Sequence, residues 1–199
     1  DHARLGAEAA SEILADLPLL RKRLSDEGLP FLGIRIGLHT GPATVGNMGA
    51  ERTERSEEHF NFTVVGDAVN LASRLEGANK ALGTTALMSE ETKAGAGDAV
   101  AVREAGSFRV KGRERPVRAY EILGRAGGPA LPDAAHLARF TEALALFRAG
   151  DFARARAAFA ELAALRKDPA AERYVKTCDK FLDHPPPPGW DGVVTMESK

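Results

Sequence analysis

The sequence holds a single cysteine, Cys178, in 199 residues. No intramolecular disulfide can form, which suits a reducing compartment. Charge imbalance is absent too. Its 27 Lys and Arg against 28 Asp and Glu leave a net charge of −1, so there is no basic footprint for nucleic acid or anionic lipid. No run of about 18 apolar residues occurs, so no segment reads as membrane-spanning. The five histidines, His2, His39, His59, His136 and His184, show no metal-ligand spacing among themselves or with Cys178, against a zinc site. Gly41-Pro42 lacks the Lys-Ser/Thr of a phosphate-binding P-loop. The start, Asp1-His2-Ala3-Arg4, is no signal peptide and carries no Met, which reads as a piece cut from something longer. What is present is ordinary for a globular chain: 44% hydrophobic residues, enough for a core, in a length that fits one domain with an appendage.

Residues 3–25 read as an amphipathic helix with Leu5, Ala9, Ile13, Leu17, Leu20 and Leu24 on one face, and Pro18 predicts a kink or break in it. Phe31–Leu38 alternates as a strand, Gly41-Pro42 turns the chain, and Ala43–Gly46 reads as a second strand. Residues 47–59 are polar and charged, a solvated loop or hairpin arm. Phe60–Val65 is a strand broken by Gly66. Asp67 is placed to cap a helix from Ala68 to about Asn79. Leu82–Met88 reads as a strand, Ser89 as the cap of a short helix over Glu90–Lys93, and Ala99–Glu104, Ser107–Val110 and Val117–Leu123 as further strands. This irregular alternation favours a mixed sheet in an α+β or α/β domain. Around 124–134 the composition turns to Gly, Ala and Pro, as in a linker. Residues 135–183 are Ala-rich and helical, with helices expected over 135–149, 151–166 and 170–182. A Pro-rich tail, 184–199, carries Trp190 and either docks on the folded body or stays disordered.

Chemistry concentrates in Thr63–Arg74. A strand feeds a helix through Gly66, and a helix N-terminus attracts anions. Asn70 and Arg74 are four apart and share a helical face. A carboxamide and a guanidinium together can hold a sugar oxygen and a phosphate. Thr63 supplies a hydroxyl on the strand leading in. On spacing alone, the same residues also fit a capped helix with a polar face in solvent. His39 reads as structural for want of a paired base.

Five stretches carry a resemblance to the class III nucleotidyl cyclase catalytic domain, the family of adenylate and guanylate cyclases. Gly33–Gly49 resembles its strand pair before an arm. Thr63–Arg74 resembles its strand-to-helix signature. Leu87–Thr92, Val110–Arg113 and Val117–Leu123 resemble its last helix and hairpin. The similarity runs over roughly residues 1–123, in order and nearly ungapped.

The resemblance implies an α+β fold, an α/β sandwich, here a partial ferredoxin-like cyclase domain over 1–123 followed by a C-terminal helical hairpin. It implies an adenylate cyclase that forms 3′,5′-cyclic AMP and pyrophosphate from ATP. By the same resemblance Asn70 orients the ribose, Arg74 stabilises charge on the α-phosphate, Thr63 reads the purine, and Lys111 contacts the terminal phosphates. Lys111 equally fits a turn lysine before Gly112. The family binds two metal ions, Mg2+ or Mn2+, through two aspartates expected upstream of residue 1, so no metal ligand is assigned within this chain. The implied partners are ATP and a second copy in a homodimer, without nucleic acid. A cytoplasmic location follows, with membrane attachment only through a segment upstream. The 199 residues alone are expected to be inactive. A non-catalytic cyclase-like subunit that binds nucleotide or only dimerises is the alternative. The long connection from Ala50 to Phe62 reads as an arm at the dimer interface or a plain loop insertion. Residues 136–169 partly resemble one tetratricopeptide-type helix pair, which is either packed on the cyclase domain or a docking surface, since one repeat cannot bury its own face.

Overall fold

The computed structural model describes residues 1–50, 59–109, 116–128 and 131–195. Along the chain come α1 (His2–Asp26), β1 (Ile36–Leu38), β2 (Thr44–Ala50), β3 (His59–Val65), α2 (Asp67–Leu82), β4 (Ala86–Ser89) and α3 (Glu90–Ala96). They are followed by β5 (Val100–Arg109), β6 (Val117–Arg125), α4 (Ala134–Arg148), α5 (Phe152–Leu165), α6 (Pro169–Asp183) and β7 (Val194–Thr195). No helix among the described residues is long and apolar enough to cross a membrane.

Five strands form a mixed sheet in the order β1-β4-β6-β5-β7. The pairings of β1 with β4 and of β5 with β7 are parallel, and those of β6 with β4 and β5 are antiparallel. Strands β2 and β3 make a separate antiparallel ribbon, in register from Thr44 opposite Val65 to Ala50 opposite His59. Because strand side chains alternate between faces, the sheet buries apolar residues on both sides. Leu87, Ala105, Phe108, Val117 and Ala119 meet Leu71, Leu75, Ala78 and Leu82 of α2. Ala86, Met88, Val100, Tyr120 and Ile122 meet Ala7 and Ala10 of α1 and Ala96 of α3. The result is the expected α+β sandwich with a helical part at its C-terminal side.

Several local expectations need correction, among them the strand over Leu82–Met88: α2 runs on to Leu82, and the strand β4 is Ala86–Ser89. First, of the kink or break expected at Pro18, the break does not occur: α1 continues from His2 to Asp26. It buries Ala3, Ala7, Ala10, Ser11 and Leu17, while Leu5, Ile13, Leu19 and Leu20 stay exposed. Small residues win this face because the helix lies close to α3, where a methyl group on Gly95 would stand 2.8 Å from the Ala3 Cβ. Second, strand geometry in 31–38 is confined to Ile36–Leu38. Third, Asp67 is the first helical residue and the cap is Gly66, at φ 144°. The strand-to-helix corner needs that conformation, which side chains resist, and Asp67 in the first turn still complements the helix dipole. Fourth, the expected strands 99–104 and 107–110 are one strand, β5, whose register shifts between Glu104 and Gly106. Ser89 does cap α3, accepting from the Thr92 amide at 3.3 Å.

The tail helices close their own core of Phe140, Phe147, Phe152, Phe159, Leu162, Tyr174 and Cys178. Trp190 docks onto it, its ring 5.3 Å from that of Phe147 and 5.4 Å from that of Phe181, which decides between docking and disorder. Burial pushes the Cys178 thiol up to about 12, so it is not a reactive thiolate.

Candidate active site

The site is built on β3, the Gly66 corner and α2. Strand β3 ends at Val65, and α2 begins two residues later. The first backbone bond of the turn runs from the Asn70 amide to the Gly66 carbonyl at 3.2 Å, and Gly66, at the cap position, has no side chain to cap the helix with. The amides of Asp67, Ala68 and Val69 therefore stand ahead of the helical ladder, as at anion-binding helix starts.

Helix α2 is held tightly from below. Gly37 on β1 lies so close that a methyl group there would overlap the Ala72 carbonyl and the Glu76 amide, so only glycine lets the two backbones touch. Asn79, fully buried, then staples helix to strand. Its amide nitrogen donates to the carbonyls of Ile36 at 2.9 Å, Leu75 at 3.1 Å and Glu76 at 3.1 Å, and its oxygen accepts from Thr84 Oγ1 at 2.8 Å. A buried carboxamide with this many partners fixes one register. Asn79 escapes a sequence reading focused on exposed polar pairs. Its signal is a carboxamide at the four-residue step of Leu71 and Leu75.

With that face buried, the opposite stripe of α2 is Asn70, Ser73, Arg74 and Gly77, all exposed. Among the described residues, no hydrogen bond or ion pair engages the side chains of Asn70 or Arg74. Thr63 sits half-buried on β3 opposite Gly46, and the space above Gly46 is open. The structure thus places Thr63, Asn70 and Arg74 on one continuous strand-corner-helix unit. Lys111 lies outside the described residues. The side chain of half-buried His39 is nearly covered, with Nδ1 2.8 Å from Ser89 Oγ and 3.6 Å from Glu91, a structural setting at the foot of α3.

Residues 17–124 match the family described as Adenylate and Guanylate cyclase catalytic domain. The chain belongs to that family. Adenylate cyclase 1 of Rhizobium meliloti (strain 1021) is 37% identical over 123 residues, 62% of this chain and 18% of that protein. The adenylate cyclase of Anabaena cylindrica is 35% identical over 98 residues, 48% of this chain and 18% of that protein. Among solved structures, the adenylyl cyclase CyaB from P. aeruginosa superposes with a TM-score of 0.50 at 32% identity, covering 64% of this chain and 62% of that one. The guanylyl cyclase Cya2 gives 0.51 at 28% identity, covering 66% and 62%. This cyclase-family chain spans less than a fifth of the length of the two curated relatives.

Class III cyclases generally use Mg2+ or Mn2+. Among the described residues of this chain, no group of three or more His, Cys, Asp and Glu side chains could hold a metal ion. Of the two acidic residues that follow Gly66 on α2, Glu76 is paired with Arg35 at 2.6 Å, and Asp67 is also engaged. Among the described residues the donor set does not fit two divalent ions.

Proposed function

We propose that these residues form the nucleotide-orienting half of an adenylate cyclase site that makes 3′,5′-cyclic AMP and pyrophosphate from ATP. The observation that carries this reading is the strand-corner-helix unit: a helix start whose first amides stand ahead of the helical ladder, beside an exposed carboxamide and an exposed guanidinium, neither bound to another described residue. In the reaction the ribose 3′-hydroxyl oxygen forms a bond to the α-phosphorus, its proton passes to water, and the bond from that phosphorus to the pyrophosphate oxygen breaks. Arg74 meets the negative charge that grows on the α-phosphoryl oxygens. A fixed cation aimed at developing charge is worth more in the transition state than in the ground state. Asn70 holds the ribose so that its 3′-oxygen stays in line. Thr63 reads the purine edge with its hydroxyl. Lys111 contacts the terminal phosphates.

The adenylate cyclase names of the curated relatives support ATP as substrate. The reading extends to a homodimer through the cyclase domain, to Mg2+ or Mn2+ held by carboxylates outside the described residues, and to a cytoplasmic setting. The organisation is a cyclase part over 1–123, a linker over 124–134, a tetratricopeptide-like hairpin within 135–183 and a tail over 184–199. The interlock of Ala143 with Phe152, Ala155, Phe159 and Leu162 in one core supports the hairpin's likeness to a tetratricopeptide pair.

A second reading, a non-catalytic cyclase-like subunit, is favoured by the lack of a metal-ligand group among the described residues. Turnover decides between them. Full-length protein given ATP with Mn2+ should make cyclic AMP, and Arg74→Ala should lower kcat by about a hundredfold or more while leaving the circular dichroism and melting curve unchanged. Near-normal turnover in Arg74→Ala would remove its assigned role. No turnover in the unsubstituted protein would support the second reading.

A further inference from the structure

Helix α6 begins against the far end of α2. Gly83 closes α2 at φ 70°, and a methyl group there would lie 2.5 Å from the Pro169 carbonyl oxygen, 2.8 Å from its carbon and 3.3 Å from the Ala170 nitrogen. The first turn of α6 is therefore a backbone stop behind the helix that carries Asn70 and Arg74.

That stop is itself pinned from two elements. Asp168 caps α6, accepting from the Ala171 amide at 3.2 Å. The same carboxylate takes both terminal nitrogens of Arg103 on β5, one of them at 2.8 Å, and lies 2.9 Å from His136 Nε2 on α4. Arg103 also donates to Glu121 at 2.7 Å and stacks over the Phe140 ring at 4.2 Å. Arg103, Asp168 and His136 are all buried. One turn and a half further along α6, the Tyr174 hydroxyl donates to the Ala105 carbonyl at 2.7 Å. It occupies the space a side chain at Gly106 would need, at the register shift of β5. A free-standing helical hairpin would need none of these contacts.

We propose that the C-terminal helices are a positioning element for the proposed active site: Asp168, Arg103 and Tyr174 hold the start of α6 against Gly83, and this backstop sets where α2 presents Asn70 and Arg74. The inference rests on the roles given above to those two residues. Asp168, Arg103 and Tyr174 act through α2 and touch no substrate. A helix moves as a rod, at 1.5 Å per residue, so a shift at Gly83 reaches Arg74. A displacement of about 1 Å at a reacting centre can cost on the order of a hundredfold in rate.

Asp168→Asn keeps a capping oxygen and the side-chain shape but loses the charge that meets Arg103. Tyr174→Phe is the milder second variant, losing only the bond to Ala105. Both are measured in the full-length protein, at a temperature where calorimetry shows each variant fully folded, beside Arg74→Ala. The expected result for Asp168→Asn is a kcat lower by about tenfold with the KM for ATP within about twofold, the signature of an interaction lost mainly in the transition state. Tyr174→Phe should move kcat in the same direction by less. Amide hydrogen exchange should rise in the last two turns of α2 as well as in α6. Wild-type kcat in both folded variants, or faster exchange confined to α4–α6, would overturn the proposal, since a tail that only stabilises itself gives that pattern. If Arg74→Ala keeps its turnover, the site reading fails instead, and the exchange of α2 still decides whether the tail holds that helix.

Discussion

Asp168 is where burial and charge compete most openly. Burial alone would raise its carboxyl, but the hydrogen bond and charge of Arg103, with help from His136 and the Ala171 amide, hold it down at about 2 from an ordinary 3.8. A carboxyl depressed in the folded state adds stability that is fully present above its unfolded value and is lost as pH falls through the folded one. The shift corresponds to about 2 kcal/mol, lost between pH about 4 and about 2. Neighbouring Glu121 runs the other way: burial raises it despite Arg103, so ionising it costs stability as pH rises above the usual carboxylate range. Melting temperature followed from pH 5 to pH 2 should therefore fall steeply in the unsubstituted chain and more gently in Asp168→Asn. Parallel acid limbs would show that this carboxylate does not carry the linkage. Asn79 makes a related point without charge. Removing its side chain would leave Thr84 Oγ1 without its partner, and such a buried orphan costs about 1–3 kcal/mol.

Among the described residues, the β2–β3 ribbon shows an exposed apolar face. Opposed residues in an antiparallel pair share a face, so Val45 and Val64, paired in register, stand beside Phe62. These three are 56%, 43% and 75% exposed. Such apolar clusters on a ribbon mark an interaction surface, and the proposed homodimer gives it an occupant. Phe62→Asp should raise the dimer dissociation constant by about tenfold or more, read by sedimentation equilibrium. An unchanged mass distribution would move the dimer contact elsewhere. Helix α1 shows the limit of pattern reading at this scale. Its leucine stripe was the natural buried face by periodicity, yet the alanines are buried, because the distance allowed between α1 and α3 is set by both helices together. Residues 51–58, within the connection read as an arm or a loop insertion, lie outside the described residues.

For the whole molecule, the strongest prediction concerns the purified 199-residue chain. On the proposed reading, in which the carboxylates that hold the metal ions lie outside the described residues, it is expected to make no measurable cyclic AMP by itself from ATP and Mn2+. Clear product from that chain would show that the chemistry needs nothing further. Much of the molecule was legible residue by residue. The Gly66 corner, the polar step from Asn70 to Arg74, the Ser89 cap and the three tail helices all follow from local rules, in which a residue's meaning depends on neighbours within one turn. The pairing of Arg103 with Asp168 spans 65 positions, and nothing in the spacing of a charged strand residue and a helix cap announces it. The same holds for Gly83 under Pro169, for Tyr174 filling the space at Gly106, and for Trp190 settling on Phe147. The sequence by itself determined the elements and the site-bearing unit, because dihedral preference, capping and periodicity act over a few residues. Only the tertiary structure decided which face of α1 is buried, and that the tail is welded to the cyclase sheet behind α2. Those outcomes depend on close packing and buried charge pairing between distant segments, which exist only once the chain has folded.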